Sequence, residues 1–222
     1  MRHIISFSGG IASAITAIAA HERGADFELV FADTLIEDQD LYRFMIEVWA
    51  KLGYPRFHWL ADGRNPWQVF EDIGMVGNSR IAPCSRILKT EMIKAHFAEH
   101  AAPDDVLVLG MDWSEMDRIE RAQHNWQPRQ VISLLNEWKV TRPTWPGILA
   151  RYGITEPRLY PAGFPHNNCG GFCVRAGQTQ FATLLERFPE VYAYHEAWQD
   201  AVMARNPKLK PFLRRKVDGV TT

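Results

Sequence analysis

The sequence predicts an open α/β sheet with helices on both faces. Short apolar runs alternate with stretches of helical periodicity over the first half of the chain, and the first run stops at Ser8-Gly9-Gly10. Strands separated by helices of roughly 10–15 residues pair in parallel through right-handed crossovers. His3-Ile4-Ile5-Ser6-Phe7 reads as the first buried strand. Ile11, Ile15 and Ile18 then recur at helical spacing up to Ala20, and Gly24 supplies a stop. Phe27–Ala32 reads as the second strand, residues 41–52 as an amphipathic helix closed by Gly53, and Phe57–Leu60 as the third strand. A helix is expected over residues 85–99 with Ile87, Leu88, Met92 and Ala95 on one face. Val106–Leu109 is the fourth strand, closed by Gly110. Ligands of such sheets sit at the carboxyl ends of the strands.

Beyond residue 111 the texture changes. Trp113, Trp126, Trp138 and Trp145 fall among prolines and charges, and no further strand–helix alternation is expected. Residues 166–173 form a Gly-rich loop, followed by helices over Gln178–Phe188 and Pro189–Arg205. Arg205 through Lys216 carries six basic residues and no acidic one. The division expected is a nucleotide-binding α/β core over 1–111 and, over 112–222, a C-terminal elaboration packed on it as one structural domain.

The 222 residues are 46% hydrophobic and 23% charged, so the chain is globular, and its net charge of −1 excludes a protein that coats nucleic acid by bulk charge. Three cysteines cannot close a disulfide set and fit a reducing compartment. No apolar run spans a membrane. Ser6, Ser8, Gly9, Gly10, Ser13 and Thr16 interrupt the apolar N-terminus, against a secretory signal. A cytoplasmic protein is the expectation.

Ser8-Gly9-Gly10-Ile11-Ala12-Ser13 is the most informative segment. Two glycines after a buried strand let the backbone turn tightly and approach a ligand. The following helix offers unpaired N–H groups and its positive dipole end to a phosphate, with Ser8 and Ser13 as hydroxyl donors. An ordinary strand-to-helix turn uses the same residues. The segment lacks the Lys-Ser/Thr of the Walker pattern and is not the six-residue dinucleotide fingerprint.

The segment resembles the pyrophosphate loop of the ATP pyrophosphatase and phosphoadenosine-phosphosulfate (PAPS) reductase superfamily. Further segments resemble that group in the same order: Phe31-Ala32-Asp33-Thr34 with Glu37; Pro83-Cys84-Ser85-Arg86 with Lys89; Gly110-Met111-Asp112 with Glu115 and Arg118; and Tyr160-Pro161 followed by residues 167–173. The last is similar to the cysteine segment of reductase-like members, phage-borne ones included. The resemblance spans roughly residues 3 to 200 and implies a HUP-type fold, like that of adenine nucleotide alpha hydrolases. The chain departs from the pattern twice. Many pyrophosphatases have Asp where Ala12 stands, removing one polar contact near the phosphates or a magnesium ion. The tail, from Phe212 to Gly219, lacks the cysteine of the Glu-Cys-Gly-(Leu/Ile)-His segment that serves true PAPS reductases.

Cys84, Cys169 and Cys173 are the only cysteines. Cys84 opens a helix, where the N-terminus is expected to lower a thiol's pKa. The resemblance implies a [4Fe–4S] cluster on the three thiols, with one iron open. Zinc completed by His166, thiol redox chemistry and plain buried thiols are the other readings. No His-Glu-x-x-His zinc signature is present. Arg80, Arg86, Lys89, Arg118 and Arg121 suit phosphate, sulfate or a nucleic-acid backbone, or simply a solvated face. Glu115 and Arg118, at i and i+3, can pair with each other. Trp113 and Trp126 can stack on a base or pack in the core.

The resemblance implies an enzyme that cleaves ATP at the α-phosphate, with Mg2+, to adenylate an acceptor for sulfur transfer. Ser8, Gly9, Gly10, Ser13, Asp33, Thr34, Gly110 and Glu115 would bind the nucleotide, with Cys84, Lys89 and Arg118 as catalytic groups. The acceptor would be a tRNA or DNA nucleotide or a small molecule, the sulfur donor is open, and a homodimer is a further expectation. The alternatives are reduction of an adenylyl sulfate (PAPS or its unphosphorylated form, APS) and a nucleotide-binding module without turnover.

Overall fold

The computed structural model describes residues 1–213 throughout and, beyond them, the backbone of residues 216–217 and 220–221. Five parallel strands form one sheet in the order β3-β2-β1-β4-β5: β1 (His3–Ser6), β2 (Phe27–Asp33), β3 (Phe57–Ala61), β4 (Val106–Leu109) and β5 (Val131–Ile132). The order reverses between β1 and β4, the switch point at which such sheets bind ligands.

Strand period sorts the side chains. Ile5 of β1 joins Leu29, Phe31, Val106 and Val108 under α1 (Ile11–Glu22) and α2 (Gln39–Lys51), while Ile4 joins Val30, Ala32 and Leu107 on the other face. Buried on both faces, the central strands read as continuous apolar runs, as parallel strands do. Asp38 caps α2 by accepting from the Asp40 N–H, and α3 (Pro66–Ile73) begins with a reciprocal Asn65–Gln68 capping box.

The segment expected as one helix over 85–99 is three pieces: α4 (Pro83–Ser85), a π-helical stretch over Arg86–Glu91, and α5 (Met92–His100). The wider turn rotates the buried face. Ile93, His96 and Phe97 point inward, whereas Ala95 is exposed and Met92 only half-buried.

The alternation runs one unit further than the sequence reading expected. A helix, α6 (Met116–Asn125), follows β4 and returns to β5, whose two residues pair with Leu107 and Val108. The short helices α7 (Leu134–Glu137) and α8 (Trp145–Tyr152) pack against α1. The helices α9 (Gln178–Arg187) and α10 (Pro189–Arg205) lie close to the expected bounds. With α3 they bury Trp67, Phe70, Phe164, Phe172, Phe181 and Leu184 in a separate cluster beneath the cysteine loop. Full burial of each such side chain contributes about 1.5–3 kcal/mol, enough to hold a loop that has little regular structure of its own. Among the described residues no helix is long and apolar enough to cross a membrane.

Candidate functional site

At the carboxyl end of β1 the chain turns through Gly9, at φ +75°, into α1. A Cβ on Gly9 would sit 2.5 Å from Leu41, so both φ and space require glycine. Gly10 stands at the N-cap of α1, and the first turn carries no acidic residue. The dipole end of a 12-residue helix therefore faces the cavity without a protein anion upon it. Ser13 is buried, donating to the Gly10 carbonyl at 2.9 Å and accepting from Ser8 at 3.3 Å. Gly110 serves by close approach, since a Cβ there would lie 2.7 Å from the backbone of Ser13.

A cavity of about 830 Å³ opens over this bend. Of the residues expected at the nucleotide, Ser8, Gly10, Gly110 and Glu115 line it, with Lys89 and Arg118; Gly9 and Ser13 support it from behind. Asp33 and Thr34 lie outside its wall. The Asp33 carboxylate accepts from the Leu35 N–H, the Tyr42 hydroxyl and the Trp59 indole at 2.8–3.1 Å. Thr34 donates to Glu37 at 2.9 Å and lines the neighbouring cavity instead. Arg118 pairs with Glu115, as their spacing allowed. Trp126 packs edge-on against Phe97 in the core, and Trp113 stays exposed.

Three residues that the sequence reading did not assign complete the wall. The Tyr160 hydroxyl accepts from the Ile11 N–H at 3.2 Å, and a backbone N–H of Asn167 also points to it. Burial raises the Tyr160 pKa against these two donors, so the phenol keeps its proton and can donate it to an anion. Asn167, fully buried, donates its side-chain amide to the Gly9 carbonyl at 3.0 Å. Arg142 pairs with Asp112 and reaches Glu115 at 3.5 Å.

Beside this cavity lies a second, of about 450 Å³, lined by Cys84, Cys169 and Cys173. Ser85, Lys89, Arg118, His166 and Asn168 belong to both walls. Lys89 bonds to Glu37 at 3.0 Å, and Glu37 also takes the Thr34 hydroxyl and the Cys169 N–H. Burial opposes the ammonium of Lys89, but Glu37, with Cys169 and Cys173 adding to it, raises its pKa and keeps it charged. The loop bends back at Cys169 and Gly170, with φ of 58° and 56°; a Cβ on Gly170 would sit 2.8 Å from the Ile36 carbonyl.

The sequence reading expected a helix N-terminus to lower the Cys84 pKa. The structure corrects this: burial first, then the nearby Cys173, push the Cys84 thiol up to about 11. The helix N-terminus still acts, through N–H groups that lower the value, but burial outweighs it. Cys173 is the thiol held low, chiefly by a hydrogen bond from Cys169, against burial and with His166 and the Arg175 N–H helping. Cys169 is raised correspondingly. All three are free thiols. Their sulfurs do not all come within 4.8 Å of one another, whereas three thiolates on one tetrahedral zinc stand about 3.8 Å apart. Cys169 and Cys173 share a hydrogen bond, and with Cys84 they line one cavity, a soft donor set.

Against known proteins, the family model described as phosphoadenosine phosphosulfate reductase domain matches residues 2–130. An uncharacterized protein of Methanocaldococcus jannaschii is 24% identical over 205 residues, which cover 89% of this chain and 46% of that protein. The chain thus spans about half the length of that relative. Among solved structures, the phosphate complex of phosphoadenylyl-sulfate (PAPS) reductase from Candida auris superposes with a TM-score of 0.51 at 14% identity, over 72% of this chain and 78% of that one. That likeness bears on the fold. The five-stranded parallel sheet, the glycine bend at its switch point and a family model covering more than half of the residues agree, and the chain belongs to the phosphoadenosine phosphosulfate reductase domain family.

Proposed function

We propose that the chain binds an adenine nucleotide with its phosphates against the Ser8–Ser13 bend and cleaves it at the α-phosphate, adenylating an acceptor for sulfur transfer. The observation that carries this reading is the shared wall. Lys89 and Arg118 stand between the phosphate-side cavity and the one that holds the three thiols. A nucleotide seated on the bend would present its α-phosphate to cations on one side and to sulfur chemistry on the other.

An acceptor oxygen attacks the α-phosphorus and pyrophosphate leaves, taking the electron pair of the broken P–O bond. A sulfur nucleophile then displaces AMP from the adenylated acceptor. The N–H groups of the first turn of α1 and the Tyr160 hydroxyl would hold phosphate oxygens. Lys89 and Arg118 would neutralise the charge that develops, with Mg2+ as the accompanying ion. Cys84, Cys169 and Cys173 would hold a [4Fe–4S] cluster, which supplies an iron without a protein ligand for an exogenous sulfur. The acceptor is a tRNA or DNA nucleotide or a small molecule. Of the basic tail expected to touch an anionic acceptor, Lys208 and Lys210 are exposed, while Arg214, Arg215 and the Lys216 side chain lie outside the described residues.

The low pKa of Cys173 favours a second reading, reduction of an adenylyl sulfate. Its thiolate would attack the sulfonyl sulfur, expel the nucleotide and form an S-sulfocysteine. Attack by Cys169 on the Cys173 sulfur would then release sulfite and leave a disulfide. The experiment that separates the two measures pyrophosphate from ATP with candidate acceptors, and sulfite from PAPS or APS. Pyrophosphate formation supports the first reading and sulfite the second. Tight ATP binding with neither product supports a module without turnover.

A further inference from the structure

We propose that Glu28, His58 and His96 form a binding site for one divalent transition-metal ion, zinc by its donor set, at the end of the sheet opposite the phosphate bend. Glu28 lies near the start of β2, His58 on β3 and His96 on α5. Parallel pairing sets Val30 beside His58, and the strand period puts Glu28 on the same face as Val30, where α5 packs. The site is far in the fold from the thiols and does not rest on the proposed reaction.

Burial makes the cluster informative. Glu28 is 1% exposed and His96 4%, in a region otherwise filled by Ile4, Val30, Ile93 and Phe97. A carboxylate in that position is costly unless every lone pair is used. Glu28 Oε2 accepts from Arg2 at 2.9 Å and from Arg56 at 3.2 Å. Glu28 Oε1, His58 Nε2 and His96 Nε2 are all buried and have no hydrogen-bond partner. One ligand atom from each of the three residues falls within 4.8 Å of the others. His96 Nε2 stands 3.5 Å from Glu28 Oε1, and His58 Nε2 stands 3.5 Å from Oε2, the oxygen that also meets the two guanidiniums. That is longer than the ~2.7–3.2 Å of a hydrogen bond. It matches the edge of about 3.3 Å between ligands of a tetrahedral ion with bonds near 2.05 Å. One cation would satisfy all three orphaned atoms together.

Two imidazoles and a carboxylate are the donors that suit zinc. The guanidiniums bear on the carboxylate's other oxygen, where hydrogen-bond donors orient a ligating group, and the charge of Arg2 is shared with Asp105 at 2.7 Å. The half-exposed His100, whose ring lies 4.9 Å from that of His96, is the nearest further imidazole for the fourth position. The ion would clasp β2, β3 and α5.

The test measures equilibrium binding of Zn2+ alone by chelator-stripped protein in which Cys84, Cys169 and Cys173 are replaced by Ser. About one Zn2+ per chain is expected, weakened more than tenfold by His58→Ala and by Glu28→Gln, with a zinc-dependent rise in Tm that those variants lose. Should the serine variant not fold, crystals of the unaltered chain soaked in Zn2+ are read at the zinc absorption edge. A peak among Glu28, His58 and His96 supports the site. No zinc binding by the folded serine variant, binding that His58→Ala leaves unchanged, or zinc density confined to the cysteines would each overturn it.

Discussion

The side-chain amide of Asn167 holds the carbonyl of Gly9 at 3.0 Å, across 158 residues of sequence. The cysteine loop and the phosphate bend are thereby joined directly. The same loop sends its Cys169 N–H to Glu37, which holds Lys89. Position at the bend and position at the thiols are set together.

Asn167→Ala is expected to lower nucleotide affinity about 10- to 100-fold, because the Gly9 carbonyl loses a buried donor and the bend loosens, a cost of roughly 1–3 kcal/mol. Calorimetric titration with an ATP analogue reads this. Unchanged affinity beside a lowered Tm would reduce the contact to a structural one.

Glu37→Gln keeps the shape and removes the charge that Lys89 faces. Breaking such a pair leaves an uncompensated cation, and about 3 kcal/mol of stability should be lost. Chemical denaturation measures it. Adding Lys89→Met to Glu37→Gln should recover part of the loss; a double variant less stable than Glu37→Gln alone would show that the pair does not act as described.

Tyr160→Phe removes the hydroxyl that meets the Ile11 N–H at the start of α1. The chain should fold with near-normal Tm, while nucleotide affinity falls by about tenfold, one hydrogen bond to a charged group. Equal affinity would mean that the phenol proton meets no phosphate.

His195 packs face to face on Phe172 at 3.8 Å and accepts from Trp67 Nε1 at 3.0 Å. Burial lowers its pKa to about 3, against about 6.5 in the unfolded chain. The unfolded chain binds the extra proton, so this contribution is complete above pH ~6.5 and is lost as pH falls toward 3, by at most ~1.4 kcal/mol per pH unit. A Tm that declines over this window in the parent and more gently in His195→Gln is the expected result.

Much of the core was legible because parallel strands buried on both faces carry continuous apolar runs, as in Val106–Leu109, and glycines end them. The strand Val131–Ile132 escaped notice because two residues carry no period. The π-helical stretch at Arg86–Glu91, and the pairing of its Lys89 with the distant Glu37, leave no mark on the local spacing. Cys84 misled because helix position is visible in sequence and burial is not. His58 and His96 lie 38 residues apart, outside any local zinc signature. Only the pairing of β2 with β3 and the packing of α5 bring His58 and His96 to Glu28.

A crystal structure with a non-hydrolysable ATP analogue should show phosphate oxygens within hydrogen-bond distance of Ser8, the Ala12 N–H and the Tyr160 hydroxyl, with the α-phosphate beside Lys89. Adenylate bound elsewhere, or triphosphate turned away from Gly10, would contradict it.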